Sequence, residues 1–162
     1  MSPSMDIQVA SNFERLLYNF YQGDGDKINS MMDEFLRVGK LKIEDKALEA
    51  FRESFWSGVT SEIETERTIA NSLAKYDALV CPHTAVGLHV AEKFQSYNNR
   101  VPMITLATAH PSKFPESVRR ATGRNPELPQ QYSDLLSREE LFAEKDKDLE
   151  DLKTYIKMRL EN

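Results

Sequence analysis

Apolar residues recur along the first third of the chain at the spacing of a helix face. Phe13, Leu16, Leu17 and Phe20 share one stripe, which predicts a helix opening at Ser11. Ser11-Asn12-Phe13-Glu14 has the capping-box order, in which the hydroxyl serves one orphan amide and the carboxylate reaches back to another. Gly23-Asp24-Gly25-Asp26 breaks the pattern, and a second helix follows over 26–38 with Ile28, Met31, Met32, Phe35 and Leu36 inward and Gly39 as its stop. Upstream, residues 2–10 read as extended, with Pro3 and then alternating Ile7 and Val9. Leu41-Lys42-Ile43 is a short extended piece, helix returns over 45–53, and Phe55-Trp56-Ser57-Gly58 is a turn with aromatic anchors. Ser61-Glu62-Ile63-Glu64 is a second capping box, opening a helix that runs to Tyr76.

Two segments then depart from helical spacing. Ala78-Leu79-Val80 is short and apolar, and Val101 to Ala107 is the clearest strand pattern in the chain. Each runs into a polar turn containing a proline, Pro82 or Pro111, and then toward a helix; the first of these is predicted over 84–94, with a turn at Asn98-Asn99-Arg100 after it. Residues 123–137, with Gly123, Pro126, Pro129 and paired amides, read as a loop or linker. Ser137-Arg138-Glu139-Glu140 is a third capping-box order. Leu149, Leu152, Ile156 and Leu160 mark an amphipathic C-terminal helix within 138–162. The expected organisation is a helix-rich α/β domain over 1–122, a linker over 123–137, and that final helix. Two or three short strands cannot make a covered parallel sheet alone, so the chain reads as part of a larger α/β protein.

Composition narrows the classes. The 162 residues carry 40% apolar and 29% charged side chains, which suits a globular domain. The net charge of −5 argues against a non-specific nucleic-acid binder. No apolar run approaches the roughly 20 residues of a membrane span, so no membrane role is expected. The single cysteine, Cys81, forms no internal disulfide, and a reducing cytoplasmic setting is the default.

Open α/β folds place their ligands at the carboxyl ends of strands. The two strand–turn–helix segments put His83, Thr84, Thr108, His110 and Lys113 there. His83 and Thr84 follow Pro82 at a helix start, where free amides favour an anion and Thr84 can cap. Ser11, Asn12 and Arg15 lie on the first turn of another helix and offer amides, a hydroxyl, a carboxamide and a guanidinium to a phosphate. Plainer roles exist for each: Thr108 satisfying a backbone group, Ser11 and Thr84 capping, His110 hydrogen-bonded in place, Lys113 exposed. A metal is not expected, because Cys81 and His83 lack the usual ligand spacing and no second cysteine exists.

The stretches Ser2-Pro3-Ser4-Met5-Asp6-Ile7-Gln8-Val9, Ser11-Asn12-Phe13-Glu14-Arg15-Leu16-Leu17, Ala78-Leu79-Val80-Cys81-Pro82-His83-Thr84-Ala85-Val86-Gly87 and Leu106-Ala107-Thr108-Ala109-His110-Pro111-Ser112-Lys113-Phe114 together resemble threonine synthase. The resemblance spans nearly the whole chain but only the C-terminal part of the family. It implies a fold-type-II enzyme using pyridoxal 5′-phosphate to convert O-phosphohomoserine and water to threonine and phosphate. It also implies that Thr108 faces the cofactor's ring nitrogen, that Ser11, Asn12 and Arg15 face the substrate, and that His83, Thr84, His110 and Lys113 line the pocket. Many members carry Asp where this chain has Cys81. The family's cofactor lysine lies in an N-terminal segment with no match here, so Lys113 is not assigned that role. The chain is then expected to need the N-terminal part of the enzyme as partner and to be inactive alone. The rival readings are a non-catalytic helical module that self-associates through uncovered strand edges, and part of another fold-type-II enzyme.

Overall fold

A computed structural model describes residues 1–95 and 100–161. They form two compact units, Met1–Glu127 and Leu128–Asn162. The expected turn at Asn98 and Asn99 lies outside the described residues.

Three helices open the first unit: α1 (Ser11–Phe20), α2 (Gly25–Val38) and α3 (Asp45–Ser54). Their apolar stripes meet in a core of Leu17, Ile28, Met31 and Phe51, flanked by Leu16, Phe20, Tyr21, Met32, Leu41 and Ile43. Phe20 stacks on Phe51 with ring centroids 3.8 Å apart, and Phe55 meets Phe20 edge-on at 6.2 Å. Burying such side chains stabilises a core by about 1.5–3 kcal/mol each before the entropy of ordering them is subtracted. Asp24 caps α2 by accepting the Lys27 N–H, and Gly39 ends it in the left-handed region at φ 73°, where a side chain would be strained. Leu36 is 71% exposed rather than inward, because the α2 face toward α1 and α3 is already filled by Ile28 and Met31.

A second group comprises α4 (Glu62–Tyr76), α5 (Pro82–Gln95) and α6 (Pro115–Thr122), with α4 packed on both of the others. Ile69, Cys81, Ala85 and Val118 are buried in this group, as are Thr65, Thr68 and Ser72. These hydroxyls are buried without penalty because each donates locally: Thr65 to the Ser61 carbonyl, Thr68 to Glu64, Ser72 to Ala78. The Ser61 capping box is complete, with Ser61 Oγ accepting the Glu64 N–H while Glu64 accepts the Ser61 N–H. Glu64 also reaches α5, where Lys93 Nζ and His89 Nε2 lie 3.4 and 3.2 Å from its other oxygen.

Several expectations fail, each for a local reason. Residues 2–10 are not extended throughout; Pro3–Met5 is a 3-10 turn packed on α5. Ser11 is already the first helical residue, with Ala10 in the capping position and no side-chain cap, so the first capping box does not form. Among the described residues there is no strand. Ala78–Val80 and the segment from Val101 to Ala107 lie outside helices and make no ladder, and Val101, Ile104 and Leu106 are 65, 84 and 75% exposed. A strand needs a neighbouring edge for its N–H and C=O groups, and none is present among the described residues. None of the described helices is long and apolar enough to cross a membrane.

The second unit contains two 3-10 turns, Gln130–Tyr132 and Leu135–Ser137, and α7 (Leu149–Leu160). The third capping box also fails: Ser137 Oγ donates to the Asp134 carbonyl and Arg138 forks onto the Asp134 carboxylate. The helix begins instead at Leu149, under an Asp148 cap that accepts the Asp151 N–H. Leu149, Leu152, Ile156 and Leu160 are all exposed.

The Ser61 amide and hydroxyl hold the Glu64 carboxyl down, from its ordinary 4.5 to about 2. A depressed carboxyl stabilises the fold above its unfolded value and loses that contribution as pH falls toward the folded one. Thermal unfolding of the protein between pH 4.5 and 2 should therefore show a falling midpoint, and Glu64→Gln should flatten that dependence. Equal slopes for the two proteins would contradict the assignment.

Candidate functional site

The amino end of α5 is its most enclosed part: Cys81, Pro82, His83, Thr84 and Ala85 are all buried. Proline suits this start, since its fixed φ is helical and its missing N–H would have had no helical partner. Thr84 is not the cap. Cys81 takes that place: its Sγ accepts the Thr84 N–H at 3.4 Å and lies 3.2 Å from Thr84 Oγ1, while its carbonyl accepts the Ala85 N–H. Thr84 Oγ1 in turn accepts the backbone N–H of Thr108 at 3.2 Å. One helical turn on, Gly87 leaves room for Thr105, whose Cγ2 would lie 3.2 Å from any added Cβ. The 105–108 segment thus runs antiparallel to α5, seated at both ends.

This seating leaves the Thr108 side chain exposed, and among the described residues its hydroxyl makes no hydrogen bond. His83 is 6% exposed and packs on the Phe114 ring at 4.6 Å. Neither of its ring nitrogens has a hydrogen-bond partner among the described residues. Burial, and then the positive charge of Lys113, hold His83 below the ordinary histidine value. His110 opens the Pro111–Lys113 3-10 turn, accepting the Ser112 N–H on Nδ1, with Ser112 Oγ 2.7 Å from the same atom. The structure therefore brings Thr84 to Thr108 and His83 to Phe114, with His110 and Lys113 on the chain between Thr108 and Phe114. These residues sit at a helix start and a turn, not at strand ends.

Ser11, Asn12 and Arg15 form a separate group on α1. Arg15 is hydrogen-bonded to Asn12. Ser11 and Arg15 line an open groove of about 640 Å³ with Glu14, Tyr18, Gly25, Ile28 and Asn29. Among the described residues no hydrogen bond or ion pair joins this group to the α5 site. Nor does any set of three or more His, Cys, Asp or Glu side chains among them converge as metal ligands.

The sequence alone assigned no structural role to Cys81 or to Gly87. The one signal for the first was Pro82, which favours the first helical position and so places Cys81 at the cap, although cysteine is not among the usual capping residues. Gly87 carries no such signal, because its role depends on a segment that arrives from elsewhere in the chain.

Residues 84–156 match the family model described as threonine synthase, C-terminal. A threonine synthase from Pseudomonas aeruginosa is 43% identical over 141 residues, covering 86% of this chain and 30% of the relative. That of Corynebacterium glutamicum is 33% identical, covering 96% of the chain and 33% of its own length. A solved structure of pyridoxal-phosphate-bound threonine synthase from Brucella melitensis superposes with a TM-score of 0.81 at 39% identity, over 97% of this chain and 33% of that one. The chain belongs to the threonine synthase family. It spans about a third of the length of the relatives it matches. The residues matched by the family model, 84–156, contain Thr84, Thr108 and Phe114.

His83 should titrate below the ordinary histidine range in NMR-detected titrations of its ring. Lys113→Met should move it upward without restoring it fully, since burial remains the larger cause. A buried neutral imidazole means the unfolded chain binds more protons, so this group's contribution to stability falls as pH drops below about 6.5. An unchanged His83 titration in the variant would show that Lys113 does not act on it.

Proposed function

We propose that this chain forms one wall of the active site of a threonine synthase. The enzyme so completed converts O-phosphohomoserine and water to threonine and phosphate with pyridoxal 5′-phosphate. The observation that carries this reading is Thr108: its backbone is pinned to Thr84 while its hydroxyl is exposed and unengaged. The residues present suit the cofactor. A neutral hydroxyl can donate to a pyridine nitrogen without forcing it to be protonated, and the two unpartnered nitrogens of His83 leave polar capacity beside the same wall. When bound, pyridoxal phosphate supplies the electron sink for cleavage next to the amino acid's α carbon.

The chain's own residues bind and orient. Thr108 holds the ring nitrogen. Ser11, Asn12 and Arg15, with the free amides at the start of α1, receive the substrate's phosphate. His83, Thr84, His110 and Lys113 line the pocket, and the positive charge of Lys113 favours an anionic substrate. No residue here is assigned as the cofactor lysine, which belongs to the N-terminal part of the enzyme. That part is the partner: its strands would pair with Ala78–Val80 and 101–107 and cover Val101, Ile104 and Leu106, whose exposure here fits such a neighbour. Residues 1–122 would make the catalytic wall, 123–137 a linker and 138–162 a C-terminal segment, in a cytoplasmic enzyme. The same uncovered surface would favour self-association of the chain when it is alone.

The test is an absorbance titration with pyridoxal phosphate, using a protein that joins this chain to the N-terminal part. The joined protein should develop a bound-cofactor band and the 162-residue chain alone should not. Thr108→Val should weaken cofactor binding by about three- to tenfold, the worth of one hydrogen bond. No band in the joined protein would overturn the reading and favour the self-associating module.

A further inference from the structure

The Thr108 backbone has a defined support, and it lies 24 residues away in sequence. Thr84 sits in the first turn of α5, 4% exposed, and its hydroxyl oxygen accepts the Thr108 N–H. Accepting that bond leaves the hydroxyl's own proton free for Cys81 Sγ, 3.2 Å away. Cys81 is fully buried and also takes the Thr84 N–H. A threonine hydroxyl that accepts on one side and donates on the other is held more narrowly than a free one, and so is the amide bonded to it. The Gly87–Thr105 contact fixes the other end of the segment. Between these two points the 105–108 stretch has no ladder of its own, so the Thr84 hydroxyl replaces the hydrogen bond that a strand neighbour would give.

We propose that Thr84 is a positioning residue for cofactor binding. Its hydroxyl, oriented by Cys81 Sγ, holds the Thr108 amide so that the Thr108 side chain presents its own hydroxyl to the ring nitrogen. This rests on the function proposed above. In this role Thr84, buried behind Thr108 at the pocket wall, acts through Thr108. Cys81 acts one step further back, as the acceptor that orients Thr84. An aspartate at that position would serve equally, because a carboxylate caps the N3 amide at least as well and accepts the same hydroxyl.

The test uses the cofactor-loaded, joined enzyme and two readouts besides activity: hydrogen exchange at the Thr108 amide, and the dissociation constant and absorbance band of bound pyridoxal phosphate. Thr84→Val, which keeps shape and removes the hydroxyl, should speed exchange at Thr108 and raise the cofactor's Kd by about three- to tenfold. Thr84→Ser should leave both close to the parent values. If Thr84→Val does not fold, Cys81→Ala serves instead, with a smaller change in the same direction, and Cys81→Asp should reverse it. Faster exchange with unchanged cofactor binding would make Thr84 merely structural and overturn the proposal; so would no change in either readout. Failure of the parent enzyme to bind pyridoxal phosphate, seen before any variant is made, would instead overturn the function on which the proposal rests.

Discussion

The burial of the amino end of α5 is the constraint on which the candidate site depends. A helix start carries backbone amides that no earlier turn can satisfy, and enclosing them in protein demands partners. Here Pro82 removes one donor outright and Cys81 accepts another from Thr84. With its amide settled, Thr84 can spend its hydroxyl on a distant segment, and it takes the Thr108 N–H. The position of Thr108 follows from how that helix begins.

Within the first unit, α4 and the Pro3–Met5 turn pack against α5 and hold it there. α4 lies along it, with the Ser61 capping box placing Glu64 beside His89 and Lys93. These contacts are part-exposed, so they orient more than they stabilise. The packing of α4 on both α5 and α6, with Ile69, Ala85 and Val118 buried one on each helix, is the firmer support. The aromatic core of α1, α2 and α3 is a separate support, and it fixes the helix on which Ser11, Asn12 and Arg15 stand.

Much of this was legible in the chain. The apolar stripes located α1 to α4, because each such helix buries one face against close neighbours, and Gly39 and Ser61 marked boundaries through chemistry that is local. What failed was whatever depends on something distant. Ser11 and Ser137 carry the letters of a capping box, yet the backbone turns helical one residue too early at the first and the hydroxyl bonds locally at the second. The 101–107 pattern is that of a strand, but a pattern states preference and a ladder requires a partner. The grouping of Thr84 with Thr108 could be suspected from two similar segments; that the Thr84 hydroxyl supports the Thr108 amide could not, because that contact depends on how the two segments meet. The Ser11, Asn12 and Arg15 group was read from helix-start chemistry, and its relation to the α5 site is not set by contacts within these residues.

The most direct measurement is a crystal structure of the joined enzyme with pyridoxal phosphate bound. The account predicts Thr108 Oγ1 within hydrogen-bond distance of the ring nitrogen, about 2.7–3.2 Å, with the Thr108 amide still on Thr84 Oγ1. A ring nitrogen facing a different side chain, or a cofactor bound away from the 81–114 wall, would contradict it.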